Sequence, residues 1–272
     1  MISNVIIIGG GLLGNEIKNQ IISQNGKAKI IKNIGNNDVD IIPKDTEVVI
    51  FVAQSKDYKE KTMTEDLSFC NTILPLKILF ESHKLGVKKF GFCSTGSIYS
   101  NRDDYHKESE QLPEFSDSPY SATKRAAEIL LESNKNLFER FVIYRPFFIY
   151  GKNQTGEKII PRMINSVKNH EEITLAQNKG MIFNPIYVSD AARFVLESLE
   201  RKSGFDIYNV GGNEEISLKK LVDLISEKLQ KEPKIKTTEN KPAYVLGSIE
   251  KMKLENFSHE ITLHDGIDKI LD

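Results

Sequence analysis

Tyr120 and Lys124 stand four residues apart in Pro119-Tyr120-Ser121-Ala122-Thr123-Lys124. On a helix that spacing puts both side chains on one face, so they would point into the same cleft. A lysine ammonium beside a phenol favours the phenolate and draws the tyrosine pKa towards working pH, as a proton-transfer group needs. Taken alone, such a pair is most often a surface pair. A second cluster, Gly91-Phe92-Cys93-Ser94-Thr95-Gly96-Ser97-Ile98-Tyr99, ends an apolar run in hydroxyls. It would lie at the carboxyl edge of a strand, where ligands of open α/β sheets bind, although a Ser/Thr-rich turn reads the same way. A third, Gly9-Gly10-Gly11-Leu12-Leu13-Gly14, fits G-x-G-x-x-G between a strand and a helix. Its glycines permit a tight turn and close approach of a pyrophosphate, while the helix N-terminus offers unpaired amides. Gly9, Gly11, Leu12, Leu13 and Gly14 are therefore candidate dinucleotide-binding residues.

The second strand of such a unit ends, about twenty residues further on, in the group that meets the adenosine ribose. Lys32 and Asn33 stand there. A carboxylate would repel a ribose phosphate and a lysine would attract it, which favours NADP(H) and leaves NAD(H) as the alternative.

The elements that must carry these groups are legible in the apolar pattern. Val5–Ile8, Lys29–Ile31, Val48–Val52, Phe90–Cys93 and Phe141–Tyr144 read as buried strands. Leu12–Ile22 and Leu67–Leu85 read as helices, the second despite Pro75. Ser118-Pro119 opens another, with serine as N-cap and proline at the first helical position. Strands alternating with helices predict an α/β fold, a doubly wound parallel Rossmann sheet, over residues 1–150. Residues 151–272 predict a smaller substrate-binding lobe that returns in part to the main sheet. Its helices are expected at Ile159–Val167, Ala191–Leu199 and Leu218–Leu229, and its strands at Ile173–Leu175, Ile186–Val188 and Ile207–Val210. Lys231–Lys241 is charged and polar and reads as a mobile stretch.

Bulk properties narrow the class. The net charge of −1 lacks the basic footprint of a nucleic-acid binder. No run is long and apolar enough to span a bilayer, and no signal peptide is read. Cys70 and Cys93 have no metal-ligand spacing and read as buried free thiols in a reducing cytoplasm.

The order and spacing of these motifs resemble the extended short-chain dehydrogenase/reductases, the NAD-dependent epimerase/dehydratase family, over most of the chain. Phe51-Val52-Ala53-Gln54 resembles the family's strand end beside the cofactor, and Asn71 the asparagine of its following helix. Thr95 falls on the catalytic Ser/Thr, and Tyr120 and Lys124 on the Tyr-x-x-x-Lys pair. Arg145-Pro146-Phe147-Phe148-Ile149-Tyr150-Gly151 resembles Arg-Pro-x-Asn-Val-Tyr-Gly. Tyr187-Val188-Ser189-Asp190 and Tyr208-Asn209-Val210-Gly211 resemble two later family segments. The resemblance implies that Lys124 binds the nicotinamide ribose and lowers the pKa of Tyr120. It implies that Tyr120 exchanges a proton with the reacting oxygen, which Thr95 hydrogen-bonds. It adds Ala53, Gln54, Asn71 and Pro146 to the cofactor-binding set, and allows a homodimer through the helices at Leu67–Leu85 and Pro119–Ser133.

Departures from the family pattern narrow the reaction. Ile8 stands where the family often has glycine. Gly96 and Ser97 replace the Asp-Glu pair of the dehydratases, so elimination of water lacks its acid and base. Ser97 also replaces a cysteine of reductases that epimerise beside a ketone. Phe148 replaces an asparagine that meets a sugar-nucleotide diphosphate, and a stretch with Ile182, Phe183 and Asn184 replaces an arginine. Thr95, Phe148 and Phe183 are thus candidate substrate-binding positions, with Lys158, Arg162 and Lys152 as substitute cations. The expectation is an NADP(H)-dependent ketoreductase of a sugar or nucleotide-sugar, with an NAD-dependent sugar epimerase as alternative. A non-catalytic dinucleotide-binding regulator is a third reading, against which the intact Thr95, Tyr120 and Lys124 set speaks.

Overall fold

A computed structural model describes residues 3–272 except 36, 39, 101, 115, 117, 155, 156 and 202. In chain order the first elements are β1 (Val5–Ile8), α1 (Leu12–Ser23), β2 (Ala28–Ile31), β3 (Val48–Phe51), α2 (Glu65–Ser68) and α3 (Leu74–Lys84). β4 (Lys89–Cys93), α4 (Pro119–Glu132), β5 (Arg140–Pro146), β6 (Ile149–Tyr150) and α5 (Ile159–Lys168) follow. Then come β7 (Glu172–Ala176), β8 (Ile182–Phe183), β9 (Ile186–Tyr187), α6 (Val188–Glu200), β10 (Gly204–Val210), β11 (Ile216–Ser217) and α7 (Leu218–Leu229). β12 (Lys234–Thr238), β13 (Tyr244–Val245), α8 (Glu250–Leu254) and α9 (Leu263–Leu271) complete the chain. It divides into two compact units. One holds Met1–Ser100, Glu108–Pro146 and Ala192–Asn209; the other holds Asn101–Lys107, Phe147–Ala191 and Val210–Asp272.

The first unit is built on a six-stranded sheet of order β10-β5-β4-β3-β1-β2. β2, β1, β3, β4 and β5 pair in parallel, in register Val5↔Ala28, Val5↔Val48, Val48↔Lys89 and Lys89↔Arg140. Continuous β-branched and aromatic runs suit strands covered on both faces. β1 and β3 are buried at every position. Phe51, Phe90, Phe92 and Phe141 point to one face, among Ile78, Leu79, Ala127 and Leu131 of α3 and α4. Gly91 points to the other, where an added Cβ would meet Tyr144 and Leu199 of α6. This is the doubly wound sheet expected from the alternating pattern. The chain leaves β1 to one side for β2 and returns to the other for β3, and the glycine loop follows β1 at that switch point.

The expected helix over Leu67–Leu85 is α2 and α3 joined by a π turn at Phe69–Ile73. Pro75 explains the turn: it has no N–H to give the carbonyl of Asn71, so the regular ladder is interrupted just there. Asn71 lies inside the widened turn and is completely buried.

A charged pair is enclosed beneath the carboxyl edge. Arg145 on β5 donates from Nε and Nη2 to the two carboxylate oxygens of Glu128 on α4, at 3.0 and 2.8 Å. Its Nη1 donates to the Tyr99 hydroxyl at 2.7 Å, which donates on to Asn209 Oδ1 at 2.8 Å. Glu128 and Arg145 are 0% and 2% exposed.

In the second unit the isolated strand-like pieces pair in small sheets: β11-β8-β13, β12-β7 and β6-β9. The stretch Lys231–Lys241, read as mobile, contains β12, which runs parallel to β7 from Lys234↔Glu172 to Thr238↔Ala176. Its lysines hid the strand, since both neighbours of Ile235 are charged and only edge pairing is needed to order it. Among the described residues no helix is long and apolar enough to cross a membrane.

Removing one partner of a buried pair leaves the other charge uncompensated, a loss of about 3–5 kcal/mol. Glu128→Ala is therefore expected to lower unfolding stability by that amount in urea titration followed by circular dichroism. A loss within about 0.5 kcal/mol, the range of an ordinary surface substitution, would contradict the enclosed pair.

Candidate functional site

Each glycine of the loop after β1 answers a different constraint. Gly9 has φ +112°, and a Cβ there would lie 2.6 Å from Ala53 N. A Cβ at Gly14 would lie 2.1 Å from Gly9 O, so α1 can approach the strand only without one. Gly11 is the N-cap of α1 with no side-chain hydrogen bond, and a Cβ there meets nothing within 4 Å. Gly11 and the first turn of α1, with Leu12 and Leu13, form a glycine cradle at the helix N-terminus. This cradle fits the pyrophosphate of a dinucleotide. Lys32, just past β2, lies across Gly10: a Cβ on Gly10 would come within 1.8 Å of Lys32 Cε and 2.5 Å of Nζ. Asn33 beside it is left-handed, φ 56°. Ile8, where the family often has glycine, is the last core residue of β1.

Thr95, Tyr120 and Lys124 come together at the carboxyl end of β4. Ser118 caps α4 by accepting from Ser121 N, and Pro119 sets its first turn. Lys124, 1% exposed, donates from Nζ to Cys93 O at 2.9 Å and Ala53 O at 3.2 Å. Its ammonium also lies 5.1 Å from the centre of the Phe92 ring. Burial lowers its pKa, opposed by Cys93, Cys70 and Glu128. Tyr120 is half-buried. Its pKa is pushed up, by burial first and by Cys93, Tyr58 and Cys70, while the Thr95 hydrogen bond pulls it down. Burial is the largest of these contributions.

Asn71, expected to meet the cofactor, has its amide engaged by protein. Nδ2 donates to Thr123 Oγ1 at 3.0 Å and Oδ1 accepts from Ser55 N at 3.1 Å. Thr123 Oγ1 in turn donates to Tyr120 O at 2.9 Å, so Asn71 braces the turn that carries the tyrosine. Ala53 and Gln54 follow β3, Gln54 exposed, and Pro146 closes β5.

In the second unit Phe148 and Phe183 form an edge-to-face pair with centroids 5.1 Å apart. Phe183 is completely buried. Phe148 is left-handed at φ 53°, a conformation that asparagine tolerates far better than an aromatic residue. Lys158 is the N-cap of α5 and Arg162 lies one turn along, exposed; Lys152 is exposed in the preceding loop.

Sequence reasoning assigned no role to two neighbours of the reacting groups. Tyr58 sets its ring edge-on to Tyr120, centroids 6.4 Å apart. Its loop is pinned by Asp66, which accepts from Ser55 Oγ and Lys56 N, and by Thr64, which donates to Asp57 at 2.7 Å. No motif marks Tyr58. Ser97 accepts from Thr95 Oγ1 at 3.2 Å and gives its own N–H back to that oxygen at 3.1 Å. Its place two residues after Thr95 was the available signal.

The model of the "NAD dependent epimerase/dehydratase family" matches residues 30–211 and so begins after the glycine loop. The human dTDP-D-glucose 4,6-dehydratase is 27% identical over 66% of this chain and 53% of its own length. The Escherichia coli dTDP-4-dehydro-6-deoxyglucose reductase is 29% identical over 82% of this chain and 71% of its own. The chain spans about half the length of the vertebrate dehydratases it matches. A UDP-glucose 4-epimerase from Thermus thermophilus, solved with NAD, superposes with a TM-score of 0.78 at 20% identity, covering 98% of each chain. At that identity the likeness establishes the fold.

The raised pKa of Tyr120 has a direct readout. A phenol whose pKa stands above its ordinary value of about 10 stays protonated throughout the neutral range. The difference in ultraviolet titration between wild type and Tyr120→Phe is therefore expected to appear only above about pH 10. A phenolate step between about pH 6 and 8 would contradict the dominance of burial.

Proposed function

The chain belongs to the NAD dependent epimerase/dehydratase family, and we propose that it is an NADP(H)-dependent ketoreductase of a nucleotide-linked sugar. The observation that carries this reading is the convergence of Thr95, Tyr120 and Lys124 at the carboxyl edge of β4, beside the end of β3. A bound nicotinamide supplies a hydride with its electron pair to a carbonyl carbon. Tyr120, protonated at neutral pH, gives its proton to the carbonyl oxygen, and Thr95 orients that oxygen by hydrogen bonding. Lys124 would hold the ribose of a bound nicotinamide cofactor. Gly9, Gly11, Leu12, Leu13 and Gly14 would hold the pyrophosphate.

Reduction is favoured over its relatives' other chemistries on three grounds. Gly96 has no side chain and Ser97 no carboxylate, so loss of water has no acid–base pair where dehydratases keep theirs. A tyrosine held protonated is a donor before it is an acceptor. The similarity to the bacterial reductase, which reaches over most of this chain, supports the same choice.

Lys32 carries the cofactor preference, since its ammonium over Gly10 stands where a ribose phosphate would be attracted. To the second unit we assign substrate binding. Lys158 and Arg162 crowd positive charge at the N-terminal end of α5, the wrong sign for the helix dipole and the right one for a diphosphate. Phe148 and Phe183 replace polar contacts there without offering hydrogen bonds. A homodimer is supported by the apolar residues Ile73, Phe80, Ile129 and Leu130, all exposed along the π turn, α3 and α4. The free thiols Cys70 and Cys93 suit a cytoplasmic setting.

The test is NADPH oxidation followed at the nicotinamide absorbance with dTDP-4-dehydro-6-deoxyglucose as probe ketone. Turnover is expected with NADPH bound more tightly than NADH, and Lys32→Asp is expected to narrow or reverse that preference by about tenfold, a charge contribution of some 1.4 kcal/mol. A wild-type preference for NADH would overturn the cofactor assignment. A protein that purifies with bound nicotinamide and oxidises none of it would instead be a sugar epimerase.

A further inference from the structure

A proton donor must hold its oxygen within about 2.6–3.2 Å of the atom it serves, and a misplacement of about 1 Å costs roughly 10²-fold in rate. The backbone of Tyr120 is fixed by α4 and by Thr123, whose Oγ1 donates to its carbonyl oxygen at 2.9 Å. Neither contact sets the ring, which turns about its own side-chain bonds.

A neighbour distant in the chain meets that ring. Tyr58, half-buried, stands edge-to-face with Tyr120, the centroids 6.4 Å apart and the planes at 71°. Such a pair sets the positive rim of one ring against the negative face of the other and so prefers one orientation. Tyr58 lies on the loop between β3 and α2, and hydrogen bonds close that loop on both sides of it. Ser55 Oγ and Lys56 N both donate to Asp66. Asp57 N donates to Ser55 Oγ at 3.0 Å, and Asp57 accepts from Thr64 Oγ1 at 2.7 Å and, through its carbonyl, from Glu60 N at 2.9 Å. Ser55 N donates to Asn71 Oδ1 at 3.1 Å, which joins the loop to the π turn. The ammonium of Lys59 lies 5.6 Å from the centre of the Tyr58 ring. A loop of polar and charged residues thus holds one aromatic ring against the reacting phenol.

We propose that Tyr58 is a positioning residue: its ring, held by the loop that Asp66 anchors, fixes the ring of Tyr120 in the orientation that delivers the proton. This role rests on the reading of Tyr120 as the proton donor of a ketone reduction. Tyr58 acts through Tyr120, so its loss slows the chemical step and leaves the binding of substrate and nicotinamide as it was. Asp66 acts one step further back, by holding the loop that carries the ring.

Tyr58→Ala removes the ring and Tyr58→Phe keeps it. With dTDP-4-dehydro-6-deoxyglucose and NADPH, Tyr58→Ala is expected to lower kcat about three- to tenfold, the worth of an aromatic pair expressed as a rate. KM for both compounds is expected to stay unchanged, and Tyr58→Phe to keep most of the wild-type rate. Asp66→Ala is expected to lower kcat by a similar factor. The double variant of Tyr58→Ala and Asp66→Ala should be no slower than the worse single one, because the loop acts only through the ring. A second readout needs no turnover. The near-ultraviolet circular dichroism that Tyr120→Phe removes reports how firmly that ring is held. This difference is expected to persist in the Tyr58→Phe background and to shrink in the Tyr58→Ala background, with far-ultraviolet spectra unchanged. A raised KM with kcat unchanged would make Tyr58 a substrate contact and overturn the positioning role. So would a kcat for Tyr58→Ala within about twofold of wild type, a range below the worth of such a pair, or single losses that multiply in the double variant. Wild-type protein that reduces no ketone would remove the reductase reading. The dichroism then decides whether Tyr58 holds Tyr120, and equal differences in the two backgrounds would remove the positioning role as well.

Discussion

Lys124 places an ammonium inside the protein, and the geometry of the site follows from how that charge is satisfied. Removing it from water costs several kcal/mol unless fixed partners replace the lost hydration. Two carbonyls do so, Ala53 O at the end of β3 and Cys93 O at the end of β4, with the face of Phe92 on a third side. These bonds tie α4 to the carboxyl ends of neighbouring parallel strands. Tyr120, one turn earlier on the same helix, is thereby carried to Thr95, two residues past Cys93. The pair Glu128–Arg145, one further turn along α4, secures the same helix against β5. Successive turns of α4 are thus fixed by a buried cation, Lys124, and a buried anion, Glu128.

The same arrangement decides the resting state of the tyrosine. Lys124 directs its ammonium at backbone carbonyls, and burial is the largest influence on the phenol, raising its pKa. A protonated Tyr120 suits donation to a carbonyl oxygen. Asn71 contributes from behind: Pro75 interrupts the helix, the π turn turns the asparagine inwards, and its amide braces Thr123 beneath Tyr120.

Much of this was legible in the sequence because it is local. The strand–glycine–helix pattern, the Ser-Pro start of α4 and the four-residue spacing of Tyr120 and Lys124 are encoded within a few residues, and the sheet follows from them. What escaped is encoded by contacts distant in the chain. Lys32 reaches Gly10 only once β1 and β2 are paired, and Tyr58 meets Tyr120 only through a loop held by Asp66 and Thr64. β12 was obscured because its lysines mimic a polar linker while Ile235 and pairing with β7 order it. Asn71 was recognised as important, but its engagement with Ser55 and Thr123 depends on a π turn that no periodicity reports.

We infer that Tyr120 is the proton donor of a nicotinamide-dependent reduction. It is tested most directly by comparing Tyr120→Phe with wild type in dTDP-4-dehydro-6-deoxyglucose reduction and, separately, in NADPH binding by fluorescence titration. The substitution deletes only the phenolic oxygen. The account predicts that turnover falls by about 10²–10⁴-fold, the usual loss of a positioned general acid, while NADPH binds within a few-fold of wild type. Turnover within a few-fold of wild type would contradict it.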